Sequence, residues 1–288
     1  MLKRTVLILL AALLLQACSA VRLAYNNADS LLYWRLDNYL DFSSEQAPRV
    51  RAELRQYQQW HRREQLPRYA ETLRRIAPQL QGPLAPEQAC ALTEQIRQGL
   101  EATLDPAHWP LAWLPAELSE GQLQQLERKQ ARSNEEWRHK WMDAGAAELA
   151  QQRFDAALSR IEWLYGGLSS AQQGVLHAAL ATASVFDAAR SLAERQRRQQ
   201  QLVLALRQIR AERLAPEAAR ARLRVYMQQQ LLGSPEPAEQ RYQEALLAEG
   251  CAVFARVHNA TTPAQRAKAQ RSLLGWAEDF RALAAQAN

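Results

Sequence analysis

Apolar residues in this chain recur at intervals of three and four, not two. Val50, Leu54, Tyr57 and Trp60 make one stripe, Leu66, Tyr69, Leu73 and Ile76 a second, and Leu273, Trp276, Phe280 and Leu283 a third. Such spacing predicts amphipathic helices. Val and Ile are scarce, Ala, Leu, Gln, Glu and Arg dominate, and no alternating run predicts a strand. Pro67 falls between the first two stripes and is expected to kink or break the rod there. No proline interrupts Ser119 to Tyr165. A continuous helix over that stretch would be about 70 Å long, ending at Gly166-Gly167. A second long helix is predicted from Ser169 to Ala211.

The helix starts repeat. "FSSEQ" at 42–46, "LAPEQ" at 84–88, "LSEGQ" at 118–122, "LSSAQ" at 168–172, "LAPEA" at 214–218 and "TTPAQ" at 261–265 each open a helical pattern. In four of them Ser43, Ser119, Ser169 and Thr262 stand three residues before Gln46, Gln122, Gln172 and Gln265. This is capping-box spacing, in which the hydroxyl accepts from an orphan N–H while the glutamine reaches back to the cap's own N–H. Pro86, Pro216 and Pro263 fit the first helical position, where a missing N–H costs nothing. The intervals are too irregular for a solenoid. Together these features predict an all-α, elongated multi-helix bundle of about seven or more helices, two of them long. Loops are expected at "LQGPLAP", "LLGSPEPAE" and "LDPAHWPLAWLPAELS". The last carries Trp109 and Trp113 among three prolines, either to cover the core or to offer a contact surface.

The N-terminus follows different rules. Lys3 and Arg4 precede an uncharged run from Val6 to Leu15, too short for a spanning helix, and Leu15-Gln16-Ala17-Cys18 follows. Leu-x-Ala-Cys resembles the bacterial lipoprotein processing motif, which implies removal of residues 1–17 and a diacylglycerol on Cys18. Ser19, in place of an aspartate, implies the outer membrane, with the body on its periplasmic face. The expected organisation is a signal segment at 1–17, a lipidated N-terminus with an acidic, aromatic helix at 18–42, and one helical domain at 43–288. Two subdomains of that domain would meet near 166–169.

Composition narrows the chemistry. The formal charge is +6 and falls to +4 without Lys3 and Arg4, too weak a balance to indicate a nucleic-acid partner. Seven arginines lie between Arg190 and Arg213, opposed by Glu194 and Glu212 alone. They read as a solvated face or as a contact for anionic lipid or peptidoglycan. Beyond Cys18 the chain has Cys90 and Cys251. In an oxidising periplasm they either bridge, closing a loop of about 160 residues, or stay as buried thiols.

Asp29, Tyr33, Asp37 and Asp41 are spaced four apart and share one side of a helix, with Trp34 beside them. They form either an acidic, aromatic interaction surface or a helix docked on the body with its carboxylates paired to the arginines of 49–75. The stretch has neither the glycine nor the spacing of a calcium loop. His61, His108, His139, His177 and His258 show no zinc spacing, and a nucleophile motif, a phosphate loop and Cys-x-x-Cys are all lacking. No catalytic residue, metal or cofactor is therefore expected.

"YNNADSLLYWRLDNYLDFSSEQ", with "NEEWRHKW" at 134–141, "WLYGGLSSAQQ" at 163–173 and "HNATTPAQRAKAQRSLLGWAEDFRAL" at 258–283, resembles an uncharacterised family of proteobacterial lipoproteins known as a domain of unknown function. The resemblance spans the chain after Cys18. It implies an all-helical envelope protein and brings no catalytic residues. "TTPAQ" and "LSSAQ" are also similar to the Leu-Thr-x-x-Gln helix starts of small periplasmic stress proteins, which implies an anti-aggregation role. The reading that follows is a lipid-anchored, non-enzymatic binding or scaffold protein, with the membrane, an envelope protein or peptidoglycan as partners. The alternatives are an anti-aggregation factor and a cell-wall hydrolase using paired carboxylates such as Asp37 and Asp41.

Overall fold

The computed structural model describes residues 20–101, 103, 109–181, 184–234 and 236–286; residues 1–17, expected as a signal segment, Cys18 and His108 lie outside them. The described residues form an elongated all-α bundle with no strand. Its helices are α1 (Ala20–Asn26), α2 (Ala28–Leu40), α3 (Gln46–Glu64), α4 (Leu66–Ile76), α5 (Pro86–Glu101), α6 (Leu114–Glu117), α7 (Glu120–Trp141), α8 (Ala146–Tyr165), α9 (Ser170–Ala181), α10 (Ala188–Glu212), α11 (Pro216–Leu232), α12 (Pro237–Ala260) and α13 (Pro263–Ala285), with a 3₁₀ turn at Ala77–Leu80. None of them is long and apolar enough to cross a membrane. The break before Pro67 falls at Gln65, between α3 and α4.

Two hydrophobic clusters hold the bundle. One gathers Ile76, Leu80, Leu92, Ile161, Tyr165, Leu176, Val257 and Leu273. The other gathers Val50, Leu54, Trp113, Leu114, Leu123, Leu126, Val203 and Leu206, covered by Tyr33, Leu36, Tyr39 and Leu40 of α2. Both draw on residues from either side of 166–169.

This division explains why neither long helix is continuous. The run from Ser119 to Tyr165 breaks between Trp141 and Ala146, and the run from Ser169 to Ala211 breaks between Ala181 and Ala188. In each case the two halves serve different clusters: α7 feeds the second and α8 the first, while α9 feeds the first and α10 the second. A straight rod could not bury both stripes. The breaks are locally secured. Asp143 accepts from Arg138 Nη1 (2.8 Å) and bonds His139 Nδ1 (2.6 Å) at the end of α7. Asp187 accepts from Arg190 N–H (2.9 Å) at the start of α10.

The four Ser/Thr-x-x-Gln starts form reciprocal boxes, and the boxes interlock in pairs. Gln46 N–H donates to Ser43 Oγ (3.2 Å) while Ser43 N–H donates to Gln46 Oε1 (3.1 Å); Ser119 and Gln122 do the same at 3.1 and 2.9 Å. Gln122 Nε2 then donates to Gln46 Oε1 (2.7 Å) and to Asp41 O (3.1 Å), while Gln46 Nε2 donates to Glu117 O (3.2 Å). The second pair repeats this arrangement. Gln172 Nε2 donates to Gln265 Oε1 (2.7 Å) and Ala260 O (3.0 Å), and Gln265 Nε2 donates to Gly167 O (3.0 Å). Ser169 and Thr262 supply the hydroxyls. Each glutamine amide thus caps its own helix and also bonds the carbonyl two residues before its partner's cap. One pair ties Asp41, at the end of α2, to Glu117, at the end of α6; the other ties Ala260, at the end of α12, to Gly167, just after Tyr165.

Removing Gln122 takes away the partner of Ser119 N–H and of Asp41 O together with the bond to Gln46 Oε1, so Gln122→Ala is expected to cost about 2 kcal/mol. Combined with Gln46→Ala, the losses should be non-additive by more than about 0.5 kcal/mol in a urea-unfolding double-mutant cycle. Strict additivity would show that the two boxes act separately.

Cys90 of α5 and Cys251 of α12 are joined by a disulfide, with Cα atoms 5.3 Å apart and Ala89, Phe254 and Ala255 packed around it. The same pair of helices is held at their adjoining ends by Asn259. Its Oδ1 accepts from Leu84 N–H (2.8 Å) and its Nδ2 donates to Leu84 O (2.9 Å).

Candidate functional site

The acidic helix places its residues differently from one another. Asp29 sits in the first turn of α2 and is half-buried. Asp37 Oδ1 accepts from Phe42 N–H (3.0 Å) and so closes the helix C-terminus, where Asp41 takes a left-handed conformation (φ 50°). Tyr33 packs against Phe42, with the Arg51 guanidinium 3.9 Å above its ring. Trp34 points to solvent. The expected pairing of these carboxylates with the arginines of 49–75 is not what holds the helix down. Arg49 pairs with Glu53 and Glu117, Arg62 donates to Asn26 (2.9 Å), and Arg75 to Gln95 (3.1 Å). Apolar burial of Tyr33, Leu36, Tyr39 and Leu40 and the Arg51–Tyr33 contact do that work instead.

The arginines of 190–213 are also not a bare solvated face. Arg207 binds Glu120 and Glu127, Arg210 binds Glu120 (2.8 Å), Arg190 binds Glu239 (3.1 Å), and Arg197 and Arg198 bind the buried Glu194. Arg195 donates to Ser133 and Asn134 (both 2.7 Å). Glu194 lies on the same helix as its arginines, while the other partners come from α7 and α12.

Two histidines are held neutral, His258 fully buried and His61 half-buried. His258 bonds Tyr165 Oη through Nδ1 (2.7 Å) and Gly82 O through Nε2 (2.7 Å). Since a carbonyl can only accept, Nε2 carries the proton and Tyr165 donates to Nδ1. Burial pushes the His258 pKa down and that of Tyr165 up. His61 sits among Tyr25, Tyr57, Trp60 and Tyr69, and burial lowers its pKa to about 4. Tyr25 Oη lies 2.9 Å from His61 Nδ1, and burial raises that phenol to about 12. These are packing roles. Among the described residues no group of His, Cys, Asp and Glu is arranged to hold a metal ion.

The most chemically distinctive recess lies between α3, the tryptophan loop and the start of α11. Tyr57, Trp60, Trp109, Trp113, Pro110 and Pro216 line a cavity of about 320 Å³, with Arg49, Glu53, Gln56 and Arg220 as its polar groups. Its volume is at the lower end for a small-ligand site. The loop is held under local strain: Leu111 takes φ 65° while its N–H donates to Glu53 Oε2 (2.7 Å). Arg49 lies 3.9 Å over the Trp113 ring. Trp113 is only 6 % exposed, and its Nε1 has no hydrogen-bond partner among the described residues; the same is true of Arg220 Nε. A buried donor left unmet costs about 1–3 kcal/mol, and both of these are closed off from solvent behind the recess wall.

Trp113 therefore belongs to the core while Trp109 is half-buried on the recess wall, which divides the two roles foreseen for that loop. Tyr57 and Trp60 were legible only as a core stripe, and Arg220 carried no signal at all. The concentration of tryptophan and proline near Trp109 was the one pointer in the sequence.

Fold and recess together define an all-α, disulfide-closed helical protein with an aromatic cleft. The chain belongs to DUF6279, a family of unknown function, whose model matches residues 38–236. The matched segment includes every residue lining the recess. Neither a curated protein nor a solved structure matches the chain.

Proposed function

We propose that the protein is a lipid-anchored, non-enzymatic binding protein on the periplasmic face of the outer membrane, and that its aromatic recess holds cell-wall glycan. The observation that carries this is the cleft itself, walled by Trp60, Trp109 and Tyr57 and bordered by the polar groups of Arg49, Glu53 and Gln56. A sugar ring offers an apolar C–H face to aromatic side chains and oxygen acceptors to N–H groups. The lipid on Cys18 would raise the local concentration of the body near the wall, so modest affinity suffices.

Hydrolysis is less well served. Asp37 is spent on capping, while Asp41, Glu45 and Glu117 line a polar groove where all three are exposed, the opposite of the desolvated site that raises a general acid's pKa. An anti-aggregation role draws support from a second trough of about 520 Å³, lined by Trp141, Phe186, Val253 and Phe254 with Lys140 and Arg160 on its rim.

The test is co-sedimentation of the purified lipoprotein with isolated peptidoglycan. Wild type is expected to sediment and Trp109→Ala to bind roughly tenfold more weakly with an unchanged helical spectrum. Equal sedimentation of both would defeat the recess reading. Release of wall fragments would establish an enzyme, and crosslinking in cells to protein alone would replace glycan with a protein partner.

A further inference from the structure

The first two helices carry apolar groups on two opposed sides. One side of α2, with Tyr33, Leu36, Tyr39 and Leu40, is packed into the body. On the other side Leu23 (66 % exposed), Leu31 (57 %) and Trp34 (63 %) stand in solvent, bordered by Leu32. Leu23, Leu31 and Trp34 are eight and three residues apart across a tight junction at Asn27, whose N–H donates to Ala24 O (3.3 Å) and whose O accepts from Leu31 N–H (3.0 Å). They therefore share a stripe along α1 and α2. The stripe is fixed relative to the body. Arg22 Nε pairs with Asp279 Oδ1 (2.7 Å), Tyr25 meets His61, and Gln58 Nε2 donates to Tyr25 O.

We propose that this stripe lies in the headgroup layer of the phospholipid leaflet that holds the Cys18 lipid. The proposal rests on the anchoring reading above. Cys18 stands two residues before Ala20, so at most roughly 7 Å of chain separates the acylated residue from the first residue of α1. The start of α1 cannot leave the interface. A tryptophan, a large apolar ring with one N–H, is a side chain that interfaces favour. The body would then be held in one orientation instead of swinging on a tether.

The experiment uses the full-length lipoprotein, checked by mass spectrometry for acylated Cys18 and reconstituted into phosphatidylethanolamine–phosphatidylglycerol vesicles with bromines near the headgroup end of the acyl chains. Quenching of tryptophan emission is expected. Trp34→Phe, which keeps an apolar ring at an exposed position, should remove the part due to Trp34 without altering the helical spectrum. Leu31→Asp should lift the face and weaken the quench in the same way. An acylated protein whose quenching does not depend on Trp34 overturns this proposal alone, whereas an unacylated Cys18 overturns the anchoring reading with it. Self-crosslinking through Leu31→Cys would assign the stripe to a second copy and overturn it as well.

Discussion

Replacing both Cys90 and Cys251 by serine is expected to lower the unfolding free energy by roughly 5 kcal/mol on the chain-entropy model. The bridge closes a loop of 161 residues in sequence separation, more than half of the chain. Domains of ordinary stability have about 5–15 kcal/mol in total, so a loss of this size is a large fraction of the whole. The folded state should change little at room temperature, because Asn259 continues to hold Leu84 and His258 continues to hold Gly82 between the same helices. The effect should therefore appear in urea unfolding as a lower midpoint together with a steeper dependence on denaturant, since the unbridged unfolded chain exposes more surface. Equal midpoints for the wild type and the double serine variant would mean that the bond adds nothing to the fold.

Acid should weaken the protein well before its carboxylates titrate. His61 is held to about 4 against an ordinary value of 6.5, and His258 is also lowered, both chiefly by burial. A depressed folded pKa means that the unfolded chain binds protons first as pH falls. The stabilisation is thus full above about 6.5 and is lost progressively down to the folded value near 4. For His61, at about 1.4 kcal/mol per pH unit, the loss is on the order of 2 to 3 kcal/mol once partial exposure is allowed for. Unfolding measured at pH 7, 5.5 and 4 should show this slope in the wild type and a flatter one in His61→Asn. A variant with an undiminished slope would place the acid sensitivity elsewhere. His258→Asn serves as the companion measurement, its Tyr165 and Gly82 partners being the groups that must otherwise accommodate a charged ring.

What was legible in the sequence was local. A capping box needs only residues three apart, and the structure shows Ser119 with Gln122 and Thr262 with Gln265 as complete boxes. The recess was legible only in part: the density of tryptophan and proline marked one wall, while Tyr57, Trp60 and Arg220 come from helices far away in sequence. An orphaned Trp113 Nε1 has no sequence signature, because burial and the lack of a partner are both products of packing.

By itself, the sequence determined that the chain is helical, where most helices begin, and that Pro67 interrupts one of them. Those outcomes depend on backbone sterics, apolar periodicity and hydrogen bonds within a single turn. Only the tertiary structure decided that the long runs break at 142–145 and 184–187, because each must feed two hydrophobic clusters with one chain. It likewise decided which boxes interlock, that Cys90 meets Cys251, and that the arginines of α10 find acids on α7 and α12. Each of these requires two distant segments to arrive at the same place, and spacing along one segment carries no record of the other.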